Sequence, residues 1–194
     1  MKSVVPICCL LICLAGKARG ADSPSTLPAS LALPDLDGKL HYPLDMAGAP
    51  AAVIVFIGVD CPVSNSYAPL INRLAEQYEA RHVKFFLIHS ESNLSSNDAR
   101  KHAKEYGYTR PTLLLDPKHL LSRQVSATVT PEAAVIGPDG KLCYRGRIDD
   151  LYISLGKPRY QASTHDLRDA IDAVLAGKPV LVERTTAIGC TIGD

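Results

Sequence analysis

The chain has 194 residues, which is enough for one domain with a substantial core. Its 21 lysines and arginines nearly balance 20 aspartates and glutamates, for a formal charge of +1. No basic block is present, so the composition gives no support to nucleic-acid binding.

The first twenty residues read as a secretory signal peptide. Lys2 supplies a short positive region, Val4 to Ala15 is almost wholly apolar, and Ala18-Arg19-Gly20 puts small residues at the −3 and −1 positions before Ala21. The apolar run is short for a membrane span of ~20 residues, although an uncleaved N-terminal anchor is the alternative. A lipoprotein signal is disfavoured, because Cys8 and Ile12 stand before Cys9 and Cys13 where a small residue is expected. The expectation is an exported protein, periplasmic or extracellular, that meets the membrane only in transit. Cleavage removes Lys2, Lys17 and Arg19, leaving 18 basic against 20 acidic residues and a charge of −2. It also removes Cys8, Cys9 and Cys13. The mature chain keeps Cys61, Cys143 and Cys190, an odd number that leaves at least one thiol free or transiently paired in an oxidising compartment.

Residues 21–34, rich in Ser, Pro and Ala, read as an exposed lead-in. Asp37-Gly38 signals a hairpin turn between short strands at about 31–35 and 39–43. Ala51 to Val59 is a continuous apolar run suited to a central strand buried on both faces. After Cys61, the apolar groups Val63, Tyr67, Leu70, Ile71, Leu74 and Tyr78 recur at helical spacing, with Pro69 expected to kink the helix. His82 to His89 is the next strand. Ser95, Ser96 or Asn97 caps a helix ending at Gly107. Leu113–Leu115 is a short strand, Lys118–Ser126 a short helix and Glu132–Ile136 a strand. Pro138-Asp139-Gly140 turns the chain into a return strand over Lys141–Arg147. Residues 150–163 look irregular. Thr164 is placed to cap a last helix, Asp166 to Leu175, ended by Gly177. The segment 179–194 reads as a flexible tail with a strand-like start, carrying Gly189-Cys190. Strands alternating with helices and then closing in a hairpin imply an α/β domain: a mixed sheet with helices on both faces, over residues 35–178.

Cys61 is the centre of this pattern. A buried strand delivers it to the first turn of a helix, where free amides and the helix dipole favour thiolate over thiol. Asp60-Cys61-Pro62-Val63-Ser64 sits at that turn, Pro69 follows eight residues after Cys61, and Thr130-Pro131 precedes the strand at Ala133. On these residues the chain resembles the thioredoxin-like superfamily over about residues 28–178. Within it the likeness is to exported redoxins related to the alkyl hydroperoxide reductase/thiol-specific antioxidant, or peroxiredoxin, branch. Tyr144-Arg145-Gly146-Arg147-Ile148-Asp149-Asp150 and Gly189-Cys190 look like a group of bacterial redoxin-domain proteins. The resemblance implies a thioredoxin-like mixed central sheet, an antioxidant oxidoreductase of cell redox homeostasis, and a redox partner that is a thiol/disulfide protein or small molecule. It calls for no cofactor or metal. It also implies that Pro131 is a cis-proline and that Thr130 and Pro62 flank the substrate.

The chain departs from the family patterns at the motif itself. Ser64 replaces the second cysteine of Cys-x-x-Cys, so the motif carries one thiol. Against the peroxiredoxin pattern Pro-x-x-x-[Ser/Thr]-x-x-Cys, Ile54 and Gly58 stand where the peroxide-binding Pro and hydroxyl belong. Asn65 excludes the copper-delivering Cys-x-x-x-Cys, and there is no Cys-x-x-Cys-His for covalent haem.

Cys61 is therefore the candidate nucleophile, with Ser64 able to donate a hydrogen bond to its sulfur but unable to resolve a mixed disulfide. Cys190 is either the resolving partner, brought by a mobile tail, or a free thiol. Cys143, in a hairpin strand, reads as a small buried hydrophobe. Arg145, Arg147, Asp149 and Asp150 read as a surface ion-pair cluster, with an arginine at the thiolate as the alternative, and Arg110 is a more remote candidate for that role. His41, His82, His89, His102, His119 and His165 show no ligand spacing, and His89 lies at a strand end near the site. Three functions remain open: a thiol oxidoreductase acting on disulfides or peroxides; a binding module or Cu(I)/metal chaperone using Cys61, Cys190 and one histidine; and a domain with an inert Cys61.

Overall fold

A computed structural model describes residues 26–193. The signal-peptide reading and Cys8, Cys9 and Cys13 lie outside these residues. Among the described residues no helix is long and apolar enough to cross a membrane.

The first elements among the described residues are two short paired strands, β1 (Leu33–Pro34) and β2 (Leu40–His41). Then come β3 (Ala52–Ile57), α1 (Pro62–Ser66), α2 (Ala68–Glu79), β4 (Lys84–His89), α3 (Ser96–Glu105), β5 (Thr112–Leu115) and α4 (Leu120–Val125). The second half holds β6 (Val129–Thr130), β7 (Glu132–Ile136), β8 (Leu142–Gly146), β9 (Tyr152–Ser154), β10 (Lys157–Pro158), α5 (Asp166–Leu175) and β11 (Cys190–Thr191). The main sheet has the order β5-β4-β3-β7-β8. Its first three strands run parallel, whereas β7 and β8 run antiparallel to their neighbours.

β3 is the middle strand, and all six of its residues are buried. A strand covered on both faces needs apolar side chains at every position, which Ala52-Val-Ile-Val-Phe-Ile57 supplies. Val53, Val55 and Ile57 join the core under α1, α2 and α5; Ala52, Ile54 and Phe56 join a second core with Leu121 and Val125 of α4. Leu27 and Leu33 close that second core, so the lead-in is not wholly exposed.

Helix ends follow local chemistry. Ser95 caps α3, its hydroxyl accepting from Asp98 N–H at 3.1 Å. The buried Asp116 carboxylate accepts the N–H groups of Leu120, Leu121 and Ser122 at 2.6–3.0 Å and so starts α4. Instead of kinking one helix, Pro69 stands in the first turn of a second helix. The chain breaks at Tyr67, and a proline near a helix start gives up no bonded N–H. The position before α5 is His165, not Thr164, because the Thr164 hydroxyl donates to Asp166 at 2.6 Å.

Two regions differ from the sequence reading. Residues 150–163 contain the β9–β10 hairpin. The tail is docked: Arg145 N–H donates to Glu183 O at 2.9 Å, Thr185 N–H donates to Arg145 O at 3.1 Å, and β11 pairs antiparallel with β6. Unpaired backbone groups on Arg145 and on the Val129–Thr130 edge provide the bonds that hold it.

Candidate functional site

Cys61 ends the β3 turn and is the N-cap of α1. It is 2% exposed. Ser64 N–H donates to its sulfur at 3.4 Å. The Ser64 side chain does something else: its hydroxyl is buried and accepts from Gly58 N–H at 3.3 Å, so the serine reaches the thiol through its backbone. Because α1 is only five residues long, specific N–H groups rather than a long helix dipole act on the sulfur.

The second wall is the loop before β7. The Thr130–Pro131 peptide is cis, and the Cys61 thiol donates to Thr130 O at 2.9 Å. Glu132 shapes this loop from within, its buried carboxylate accepting from Thr128 N–H at 2.7 Å and Val129 N–H at 3.3 Å. The Thr130 hydroxyl occupies the space left open at Gly58, where a Cβ would lie 2.8 Å from Thr130 Oγ1 and 3.2 Å from Cys61 Cβ.

The third wall is the tail. Cys190 lies opposite Thr130 in the β11–β6 pair, and Ile192 N–H donates to Thr128 O at 2.9 Å. This register brings Cys190 to the mouth of the Cys61 site. The two cysteines line one pocket of about 190 Å³ with Gly58, Asp60, Ser90 and Glu91. Among the described residues, Cys61, Cys143 and Cys190 are unbonded thiols.

The electrostatics of the two thiols diverge. Burial works against ionisation of Cys61. The Cys190 thiol, the Thr130 hydroxyl and the amides of Ser64 and Cys190 outweigh it, and the net pKa is lowered. Burial and the neighbouring Cys61 push Cys190 up to about 11. Cys61 is the better thiolate at neutral pH, and Cys190 stays protonated beside it. Cys143, half-buried in β8, is raised mainly by burial.

The remaining candidates fall elsewhere. Arg147 forms a two-pronged pair with Asp166 at 2.9 and 3.2 Å, and Arg145 faces Glu132 at 3.6 Å. Arg110 pairs with Glu79 at 3.0 Å. Asp149 and Asp150 are buried anchors and not part of a surface cluster. Asp149 accepts from Tyr67 OH at 2.5 Å, while Asp150 accepts the N–H groups of Ser163 and Thr164 at 2.5 and 2.9 Å. Pro62 is exposed at the first position of α1, beside the thiol. His89 is buried behind the site, with its Nδ1 3.4 Å from Glu91. Among the described residues no group of three or more His, Cys, Asp or Glu side chains converges as a metal site.

Sequence reasoning missed Glu91, whose carboxylate accepts from Val59 N–H at 2.8 Å and holds the turn before Cys61. It also missed Glu132 and the Thr130 hydroxyl. The nearest sequence signal was Glu132 following Thr130-Pro131, an acid at the start of an otherwise apolar strand.

A five-stranded mixed sheet with a cysteine at the β3–α1 turn, facing a loop that ends in a proline, defines a thioredoxin-like protein. The redoxin family model matches residues 21–152, and the chain belongs to the redoxin family. No curated protein matches it. A hypothetical protein of Sinorhizobium meliloti is 28% identical, with a TM-score of 0.74 over 89% of this chain and 94% of that one. Two more distant structures share the fold. A secreted disulfide oxidoreductase of Mycobacterium tuberculosis is 16% identical, with a TM-score of 0.51 over 76% of this chain and 95% of that one. A pneumococcal exposed lipoprotein thioredoxin from Streptococcus pneumoniae is 21% identical, with a TM-score of 0.55 over 76% and 98%.

Proposed function

We propose that this redoxin is an exported thiol–disulfide oxidoreductase in which Cys61 is the nucleophile and Cys190 the resolving thiol. The observation that carries the reading is the β11–β6 register, which sets the Cys190 thiol beside the lowered-pKa Cys61. The Cys61 thiolate attacks one sulfur of a substrate disulfide, forming a mixed disulfide and releasing the other sulfur as thiolate. That thiolate takes up a proton as Cys190 loses one. The Cys190 thiolate then attacks the Cys61 sulfur, closes the Cys61–Cys190 disulfide and releases the second substrate thiol. Two electrons pass from the cysteine pair to the substrate, and an external dithiol restores the pair. Ser64 leaves resolution to the tail. Thr130 and Pro62 border the thiol where a substrate strand would lie, with Pro131 fixing the loop. The secreted and exposed neighbours, together with residues 1–20, support export.

The test is equilibration of the purified protein in mixtures of oxidised and reduced dithiothreitol, followed by peptide mapping. It should yield a Cys61–Cys190 linked peptide in a two-electron transition. Insulin disulfide reduction should be lost in Cys61→Ser, and full turnover in that variant would overturn the reading. Export is checked by N-terminal sequencing of the mature protein, with Ala21 the expected first residue.

An antioxidant role is the second reading, favoured by the Thr130 hydroxyl beside the sulfur. A hydroperoxide would oxidise Cys61 to a sulfenic acid with release of water or alcohol. Cys190 would then condense with it to the same disulfide, losing water. Comparing rates of Cys61 oxidation by hydrogen peroxide and by a disulfide separates the two readings.

A further inference from the structure

Cys61 is 2% exposed, and part of what covers it is the chain's own tail. The tail is attached at two places. At the first, Thr185 is a rivet: its hydroxyl meets Tyr144 OH at 2.7 Å and accepts from Arg147 N–H at 3.0 Å. Gly146 lies beneath it, and a Cβ there would overlap Thr185. At the second, Cys190–Ile192 lie along Thr128–Thr130. Gly189 rests on the Thr130 carbonyl so closely that any Cβ would overlap it. Between and around these points the attachment is thin. No residue from 181 to 193 is fully buried, so the tail carries little apolar burial and opens at low cost compared with β3.

We propose that residues 183–193 are a strap that gates Cys61. The strap lifts from the Thr128–Thr130 edge to admit a disulfide carried on an extended segment of a protein partner, then returns to deliver Cys190. The partner segment takes the place of β11, using the same backbone groups of Val129 and Thr130. The tight fit at Gly189 selects a small residue before the partner's cysteine. A Cys61–Cys190 bond staples the strap shut, and reduction releases it. The stapled state rests on the redox reading above, whereas the gating of the reduced thiol does not.

The experiment measures alkylation of Cys61 in the reduced protein by peptide-resolved mass spectrometry, using iodoacetamide and a polyethylene-glycol maleimide. In the wild type the bulky reagent should lag behind the small one. Gly189→Ala and Thr185→Ala each loosen one attachment and should raise the bulky-to-small rate ratio at Cys61 by about tenfold, the signature of local opening. Thr185→Ala creates no overlap and keeps the test readable if Gly189→Ala fails to fold. In parallel, amide hydrogen exchange at residues 183–193 should be about tenfold faster in the reduced protein than in the disulfide form. An unchanged rate ratio in the folded variants, with exchange at 183–193 as slow as in β3, would overturn the strap. The alkylation arm needs no disulfide, so failure of the redox reading leaves it intact and the two failures are distinguishable.

Discussion

Cys190 lies directly opposite Thr130 in the two-residue β11–β6 pair, and the Thr130 carbonyl oxygen is 2.9 Å from the Cys61 sulfur. One residue thus serves both thiols. Its backbone holds the tail strand and accepts from the Cys61 thiol, and its hydroxyl favours the Cys61 thiolate. In the closed state Cys190 and Cys61 share one pocket.

Replacing Cys190 by serine keeps the backbone pairing with Thr130 and removes the sulfur proposed to resolve the mixed disulfide. The expected result is a Cys61 mixed disulfide that accumulates with a disulfide substrate, visible by intact mass. Turnover should fall at least about tenfold, because release then waits for an external thiol.

The pH profile of Cys61 alkylation should place its midpoint below that of an ordinary cysteine. Burial opposes this, but the Cys190 thiol, the Thr130 hydroxyl and two amides more than compensate. Cys190→Ala removes one donor and should move the midpoint to higher pH. Cys190, at about 11, should label more slowly than Cys61 throughout the neutral range.

Acid should destabilise the protein through His102. Its Nε2 lies 2.9 Å from Asn65 Oδ1, and the Asn65 amide donates to Val59 O at 2.8 Å, so Nε2 carries the ring proton. Nδ1 is buried without a partner among the described residues. Burial first, and the charge of His89 second, lower His102 to about 4; Glu91 and Asp60 oppose this, and Tyr106 and Tyr108 pack against the ring. The unfolded chain binds a proton as pH falls through about 6.5, and the folded one does so only near 4. Stability is lost across that window, by about 3 kcal/mol. Urea midpoints measured from pH 7 to pH 4 should drop less steeply in His102→Asn.

Tyr67→Phe deletes the hydroxyl that donates to the buried Asp149 at 2.5 Å, leaving Asp149 with Leu151 N–H at 2.9 Å as its remaining bond. An underpaired buried carboxylate should cost about 1–3 kcal/mol by urea unfolding. Asp149→Asn should cost less when added to Tyr67→Phe than on its own.

Much of the scaffold was legible in the chain. The run at residues 52–57 is apolar at every position, which is what a strand covered on both faces requires. Ser95, Ser96 and Asn97 together announced a helix start, and the structure gives the cap to Ser95, whose hydroxyl meets the N–H three residues on. Asp149 and Asp150 misled because charge alone suggests solvent. Each is buried on donors far away in the chain, Tyr67 in one case and Ser163 and Thr164 in the other. The docked tail was hidden for a similar reason: its sequence has no apolar period, since backbone bonds and glycine contacts hold it, not a buried face.

The sequence by itself determined that a buried strand ends in a cysteine at a helix start, that Ser64 leaves the motif with one thiol, and that Cys190 is a candidate for a second sulfur. These are properties of residue type and local spacing, which side-chain chemistry and hydropathy report directly. Only the tertiary structure decided that Cys190 lies at Cys61, that Thr130 joins them, and that Ser64 turns its hydroxyl away. Those outcomes depend on bonds to backbone groups: the β11–β6 pairing of Cys190 with Thr130, the Thr130 carbonyl that accepts from the Cys61 thiol, and the Gly58 N–H that donates to the Ser64 hydroxyl. Such bonds use groups that every residue carries, and therefore leave no mark on residue identity.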